Sequence, residues 1–152
     1  MKKLLTLLMI GGLSLTLCAC GKDEVITKTC SGSDDDMTMT FKMTATNDEI
    51  DKIEMTVVPN NEAMNIETFE DLTDAQKSQI EESFLTTMGL EEEQEGIEVE
   101  VKFAKDMTVI LKVDLKTADK EILENIGLDF EDKDMSLEKA ISDFKEEGYT
   151  CN

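Results

Sequence analysis

The chain has 152 residues, of which 35 are Asp or Glu and 15 are Lys, and it carries a formal net charge of −20 at pH 7. It contains no Arg and no His, so it lacks both the basic stripe of a nucleic-acid binder and the commonest catalytic base. These properties exclude a nucleic-acid partner, a Ser/His or Cys/His nucleophilic enzyme and a zinc site built on imidazole.

The N-terminus has the pattern of a secretory signal. Two lysines precede the apolar run Leu4–Leu17, which is too short to cross a membrane and ends in small residues. Leu17-Cys18-Ala19-Cys20 resembles the lipobox of bacterial lipoproteins, with a small residue directly before the modified cysteine. We predict a signal peptide over residues 1–19, lipidation of Cys20, a short tether over residues 20–24 and a single domain over residues 25–152. The alternative is an ordinary cleaved signal with incidental cysteines.

Lipidation of Cys20 would hold the protein at the extracytoplasmic face of the cell membrane, with membrane lipid as its predicted partner. The diacylglycerol of this lipoprotein class supplies at least two acyl chains, which is enough for stable anchoring. The tether would reach less than about 20 Å. Without residues 1–19 the chain keeps 13 lysines against 35 acidic residues, a side-chain charge of −22, which repels anionic lipid as well as nucleic acid.

Four segments alternate apolar and polar side chains, which is typical of strands with one buried face. Their apolar positions are Met37, Met39, Phe41, Met43 and Ala45; Ile53, Met55 and Val57; Ile97, Val99, Val101 and Phe103; and Met107, Val109, Leu111, Val113 and Leu115. The short polar segments Asn47–Glu49 and Ala104–Asp106 indicate two antiparallel hairpins. Asp34–Asp36 is expected to form the turn of an earlier hairpin.

Three segments have the period of an amphipathic helix. Their apolar positions are Ile80, Phe84, Leu85 and Met88; Ile122 and Ile126; and Leu137, Ala140, Ile141 and Phe144. Thr73 and Gln76 match a capping box, and Gly89, Gly127 and Gly148 each stand where a helix is expected to end in a left-handed residue. The order β-β-β-α-β-β-α-α, with a short terminal extension, predicts an α+β fold: an antiparallel sheet of about five strands with helices packed on one face.

Two cysteines remain once Cys18 leaves with the signal and Cys20 is acylated. Cys30 and Cys151 allow one pairing in an oxidising compartment, and we predict a disulfide between them. The alternative is two free thiols in a host that does not form exported disulfides.

The mature chain resembles the YehR-like bacterial lipoproteins. The resemblance lies in the lipobox at Cys20, the strand Thr29–Gly32, the strand pairs flanking one helix, and the ending Met135–Glu138 through Gly148–Cys151. It implies an α+β sheet-and-helix domain and brings no catalytic residues to carry over.

Several acidic clusters could contribute to a calcium site. They are Asp34–Asp36, Glu91–Glu93, and the group Asp129, Glu131, Asp132 and Asp134. The spacing of an EF-hand loop is matched by Asp132, Asp134, Ser136 and Asp143. However, Leu137 replaces the glycine of the sharp turn in that loop, and Ser136 fits a helix cap. We expect a solvated loop and a cap there, and no metal. Met37 and Met39 have spacing suited to Cu(I), yet they fall on the buried face and are expected to fill the core.

Paired carboxylates can hydrolyse glycosides without histidine, and Glu98 and Glu100 share a strand face about 7 Å apart. Lys102 lies beside them, so we expect a solvated face. We predict a non-enzymatic binding or interaction module at the cell envelope, without a cofactor and with an unidentified protein or envelope partner. The alternative is a carboxylate-dependent hydrolase acting on cell-envelope polymer, which needs two buried acids in a cleft.

Overall fold

The computed structural model describes residues 23–62, 64–90, 93–126, 128 and 136–152. Its elements are β1 (Val25–Ser33), β2 (Met37–Thr46), β3 (Glu49–Pro59), α1 (Asp74–Met88), β4 (Ile97–Phe103), β5 (Met107–Asp114), α2 (Lys120–Asn125), α3 (Leu137–Glu146) and β6 (Thr150–Cys151). Within these residues no helix has the length and apolar character needed to span a membrane.

The strands form one six-stranded sheet in the order β4-β5-β3-β2-β1-β6, in which every neighbouring pair is antiparallel. The α+β fold is therefore confirmed. The predicted sheet of about five strands corresponds to β1–β5, and the terminal extension adds the two-residue strand β6. The register aligns Cys30, Phe41, Met55 and Leu111 in one row across the sheet, so the apolar positions of successive strands share a face.

The turns follow from residues that tolerate unusual backbone angles or cap their own chain. Asn47 and Asp48 have φ values of 52° and 72°, as a two-residue hairpin turn requires. Glu49, predicted within that turn, is already the first residue of β3. At the β1–β2 turn, Oδ1 of Asp34 accepts hydrogen bonds from the amides of Asp36 at 2.9 Å and Met37 at 2.8 Å. The predicted turn at Asp34–Asp36 is therefore confirmed.

α1 and α3 begin and end at the residues that the sequence indicates. α1 has the predicted capping box, in which Thr73 accepts from the Gln76 amide and Gln76 accepts from the Thr73 amide. Gly89 ends this helix at φ 68°, and Gly148 follows α3 at φ 94°, a region that glycine enters without steric cost. Gly127 lies outside the described residues.

All three helices contribute to apolar clusters on the same face of the sheet. Leu137 and Ala140 of α3 pack with Phe41 and Met43, and the ring centroid of Phe144 lies 4.7 Å from that of Phe41. A second cluster joins α2 to β5, and a third joins α1 to the start of β5. The prediction that helices cover one face is thus confirmed. The opposite face carries threonines and cross-strand ion pairs.

Candidate functional site

The described chain begins at one end of the sheet, which we call the near end. The carbonyl of Glu24 accepts a hydrogen bond from the Asn47 amide at 2.9 Å, and the Asn47 side-chain amide donates to Asp23 at 2.8 Å. The near end is therefore the end that contains the β2–β3 turn. Since Cys20 and residues 1–22 lie outside the described residues, their predicted roles stay predictions.

The cysteines predicted to pair are brought together at the chain end. Cys30 of β1 and Cys151 of β6 are directly opposed, with their Cα atoms 4.0 Å apart and their sulfur atoms at disulfide distance. The Cys30 side chain is fully buried. Tyr149 supports this corner, because its ring covers Gly32 so closely that a Cβ there would lie 2.7 Å from the ring.

In the acidic segment with EF-hand spacing, the described residues form a helix cap and a surface ion pair. Ser136 caps α3 by accepting from the Lys139 amide at 3.3 Å, and its hydroxyl donates to Asp48 at 2.6 Å. Asp143 pairs with Lys139 at 3.2 Å on the surface of α3. The other members of that cluster, at 129, 131, 132 and 134, lie outside the described residues, as do 91 and 92. Among described residues, no group of three or more Asp, Glu or Cys side chains is arranged to hold a metal ion.

Glu98 and Glu100 lie on the solvated face of β4. Glu98 pairs with Lys112 on β5 at 3.4 Å, and Glu100 pairs with Lys102 at 3.1 Å. Their side chains are 78% and 51% exposed, whereas a glycosidase needs an acid whose pKa is raised by burial. This pair does not form the cleft that the hydrolase alternative requires.

A buried acid lies at the near end of the sheet, and the sequence analysis did not single it out. Asp51 on β3 contacts the Lys116 ammonium at 2.5 Å and accepts a hydrogen bond from the Thr46 hydroxyl. The hydrogen bonds from Lys116 and Thr46 hold the pKa of Asp51 below its ordinary value of 3.8, although burial opposes them. The same contact raises the pKa of Lys116 above 10.5. A carboxyl group held ionised cannot serve as the general acid that the hydrolase alternative requires.

A cavity of about 860 Å³ lies at the opposite or far end of the sheet. It is formed by the β1–β2 turn, the end of β3, the segment after Pro59 and the β4–β5 turn. Met37, Val58 and Ile66 provide an apolar surface in it. Its charged lining residues are Asp34, Glu62, Glu67, Lys105 and Asp106. Four acids against one lysine give this cavity a negative potential, which favours a cationic ligand.

Asn61 fixes one wall of the far-end cavity. Its side-chain amide donates to the Lys105 carbonyl at 3.1 Å and to Oδ1 of Asp106 at 3.0 Å. Its own Oδ1 is buried and accepts no hydrogen bond from the residues that the structure describes, and a buried oxygen of this kind carries a desolvation cost until a donor reaches it. The cavity is formed by three segments that are distant in sequence, so the periodicity and spacing of residues could not predict it.

Comparison with known proteins identifies the fold. No family model and no curated protein matches the chain. The solution structure of the E. coli YehR protein has a TM-score of 0.65 at 13% identity, over 85% of this chain and 91% of that one. The chain therefore has a YehR-like fold. A solution structure of a protein from Streptococcus pneumoniae TIGR4 has a TM-score of 0.58 at 21% identity, over 100% of this chain and 99% of that one. At these identities the likeness establishes the fold alone.

Proposed function

We propose that the protein is a membrane-anchored extracytoplasmic lipoprotein, and that its domain is a non-enzymatic binding module presenting the far-end cavity away from the lipid surface. The observation that carries this proposal is the position of Asp23 and Glu24. Both are bound to Asn47 at the near end, only a few residues after the lipobox cysteine. The cavity lies at the other end of the same strands.

The dimensions of the sheet support this arrangement. β2 and β3 have 10 and 11 residues, so they separate the two ends by about 30 Å. A tether of four residues keeps the near end within about 20 Å of the anchor. A domain held in this way exposes the cavity to soluble or envelope partners. The acidic lining selects a cationic group, and the apolar surface beside Met37 and Val58 accommodates its hydrocarbon portion.

Metabolic labelling with a fatty acid tests the anchor. The full chain and a Cys18→Ser variant are expected to incorporate the label, because Cys18 leaves with the signal peptide. A Cys20→Ser variant is expected to lose the label and to leave the membrane fraction or accumulate as an unprocessed precursor. Undiminished labelling of the Cys20→Ser variant would show that the lipobox assignment is wrong.

A further inference from the structure

The outer edge of β4 presents backbone groups that no other described strand pairs with. Within the described ranges β4 pairs with β5 alone. The carbonyl of Gly96 accepts from the last residue of β5 at 2.7 Å, and the amide of Ile97 turns outward to Gln94 at 3.2 Å. Because backbone direction alternates along a strand, the amides and carbonyls of Val99 and Val101 also point outward. They form a template for another strand.

A groove runs beside this edge, between β4 and α1. Its volume is about 510 Å³, and Leu85 of α1, Leu90, Ile97 and Val99 provide its apolar surface. No residue of β4 is fully buried, and the same is true of the 15 residues of α1. Both elements therefore keep part of their apolar side chains in contact with solvent, although each faces the core. The side chains of an added strand would cover these surfaces.

The rim of this groove is acidic. Glu81, Glu93 and Glu98 line it, and no lysine does so among the described residues. Glu98 is paired with Lys112, whereas Glu81 and Glu93 form no ion pair within the described part of the chain. A ligand that places ammonium or guanidinium groups at this rim gains electrostatic attraction, and an acidic ligand is repelled.

The geometry points to a strand-addition site: the β4 edge and the adjoining groove bind an extended segment of another protein whose groove-facing residues, every second one along the segment, are apolar in the middle and basic at both ends. Hydrogen bonds to Val99 and Val101 supply sequence-independent affinity. The apolar side chains of the segment enter the groove beside Leu85, and its basic side chains meet Glu81 and Glu93. The site is separate from the far-end cavity, so this inference goes beyond the proposed function.

A second copy of the chain fits this edge less well. Two β4 strands could pair antiparallel only about a twofold axis perpendicular to the sheet. That symmetry would direct the near ends of the two copies in opposite directions, whereas short tethers would hold both near ends at one membrane. The side-chain charge of −22 on each mature copy also opposes self-association.

Amide hydrogen exchange on the full chain, purified in detergent micelles, tests the site directly. The Lys-Val peptide used as the probe is Lys-Thr-Val-Thr-Val-Thr-Lys, whose Lys and Val side chains share one face of a strand. The control, the Glu-Val peptide, has Glu in place of both Lys. Saturation with the Lys-Val peptide is expected to slow exchange of the Val99 and Val101 amides at least tenfold, while the Glu-Val peptide leaves them unchanged. Continued fast exchange of both amides with bound Lys-Val peptide would overturn the proposal. Protection that rises with protein concentration without peptide would also overturn it, in favour of a second copy.

Two pairs of variants separate edge pairing from charge attraction. Val101→Pro removes an outward amide without removing a bond to β5, and it should weaken peptide binding at least tenfold relative to Val101→Ala. Glu81→Lys with Glu93→Lys should weaken binding at least tenfold. Glu138→Lys with Glu146→Lys makes the same charge change on the exposed surface of α3, away from the groove and from the far-end cavity, and should leave binding within twofold. Equal loss in the two charge-reversal pairs would mean attraction to net charge and would refute the site.

Discussion

Reduction of the predicted Cys30–Cys151 bridge is expected to destabilise the domain severely. The bond would close a loop with a sequence separation of 121, and the chain-entropy model gives a stabilisation of about 5 kcal/mol for a loop of that length. Natural domains have unfolding free energies of about 5–15 kcal/mol in total. Native contacts around the bridge remain after reduction, since Thr29 and Asn152 exchange backbone hydrogen bonds of 3.2 and 2.9 Å. The loss should therefore arise mainly from the greater freedom of the unfolded chain.

Urea unfolding followed by circular dichroism measures this effect. With a urea slope of about 1.5 kcal/mol/M, reduction should lower the unfolding midpoint by about 3 M. Cys30 is fully buried, so the protein must be reduced while unfolded and then refolded with reductant present. The reduced native sequence is a better reference than a cysteine-to-alanine variant, which would also remove packing. Equal midpoints in the oxidised and reduced forms, or alkylation of both thiols without reductant, would refute the reasoning.

Two further predictions concern charge. Asp51→Asn should lower the unfolding free energy by about 1–3 kcal/mol at pH 7, because a charge-assisted hydrogen bond is lost. The control is Asp143→Asn, which removes an exposed ion pair on α3 and should lower the unfolding free energy by less than about 0.5 kcal/mol. The pKa of Asp51 is lowered in the folded state, so its contribution to the unfolding free energy is complete above pH 3.8 and is lost as the pH falls through the lower folded pKa. If thermal melts below that pH range still showed Asp51→Asn to be less stable than the native protein, the lost ion pair would not be the cause. The excess of acids predicts that stability rises with salt, and that calcium and magnesium at matched ionic strength shift the melting temperature equally. A saturable shift of the melting temperature that is specific to micromolar calcium would contradict the expected equality of the two ions and indicate a metal site.

The sequence determined the main elements because strand alternation and helix caps are local signals. The alternation from Met37 to Ala45 defines β2 and its buried face, and Thr73 with Gln76 defines the start of α1. β6 could not be predicted as a strand, since Thr150 and Cys151 are too few residues to show a period. Leu115 continued the alternation of β5 but lies beyond its last residue, where it contacts two of the apolar clusters.

The sites were less predictable because they depend on contacts between distant segments. Phe69 is fully buried at the far end, yet it stands in an irregular segment without periodicity. Asp51 occupies a polar position beside Ile50 and Ile53, and a register shift in the β2–β3 pairing occurs next to them. The position of β4 at the edge of the described sheet follows only from the strand order, which alternation does not specify.

The orientation of the domain on the membrane is the most direct test of the central proposal. A bulky maleimide reagent applied to right-side-out membrane vesicles should label a Glu62→Cys variant at the far-end cavity several times faster than a Glu49→Cys variant at the near end. Both residues are exposed, so the two rates should become equal when Cys20→Ser removes the anchor. A Glu49→Cys variant labelled as fast as Glu62→Cys in the anchored protein would contradict the account.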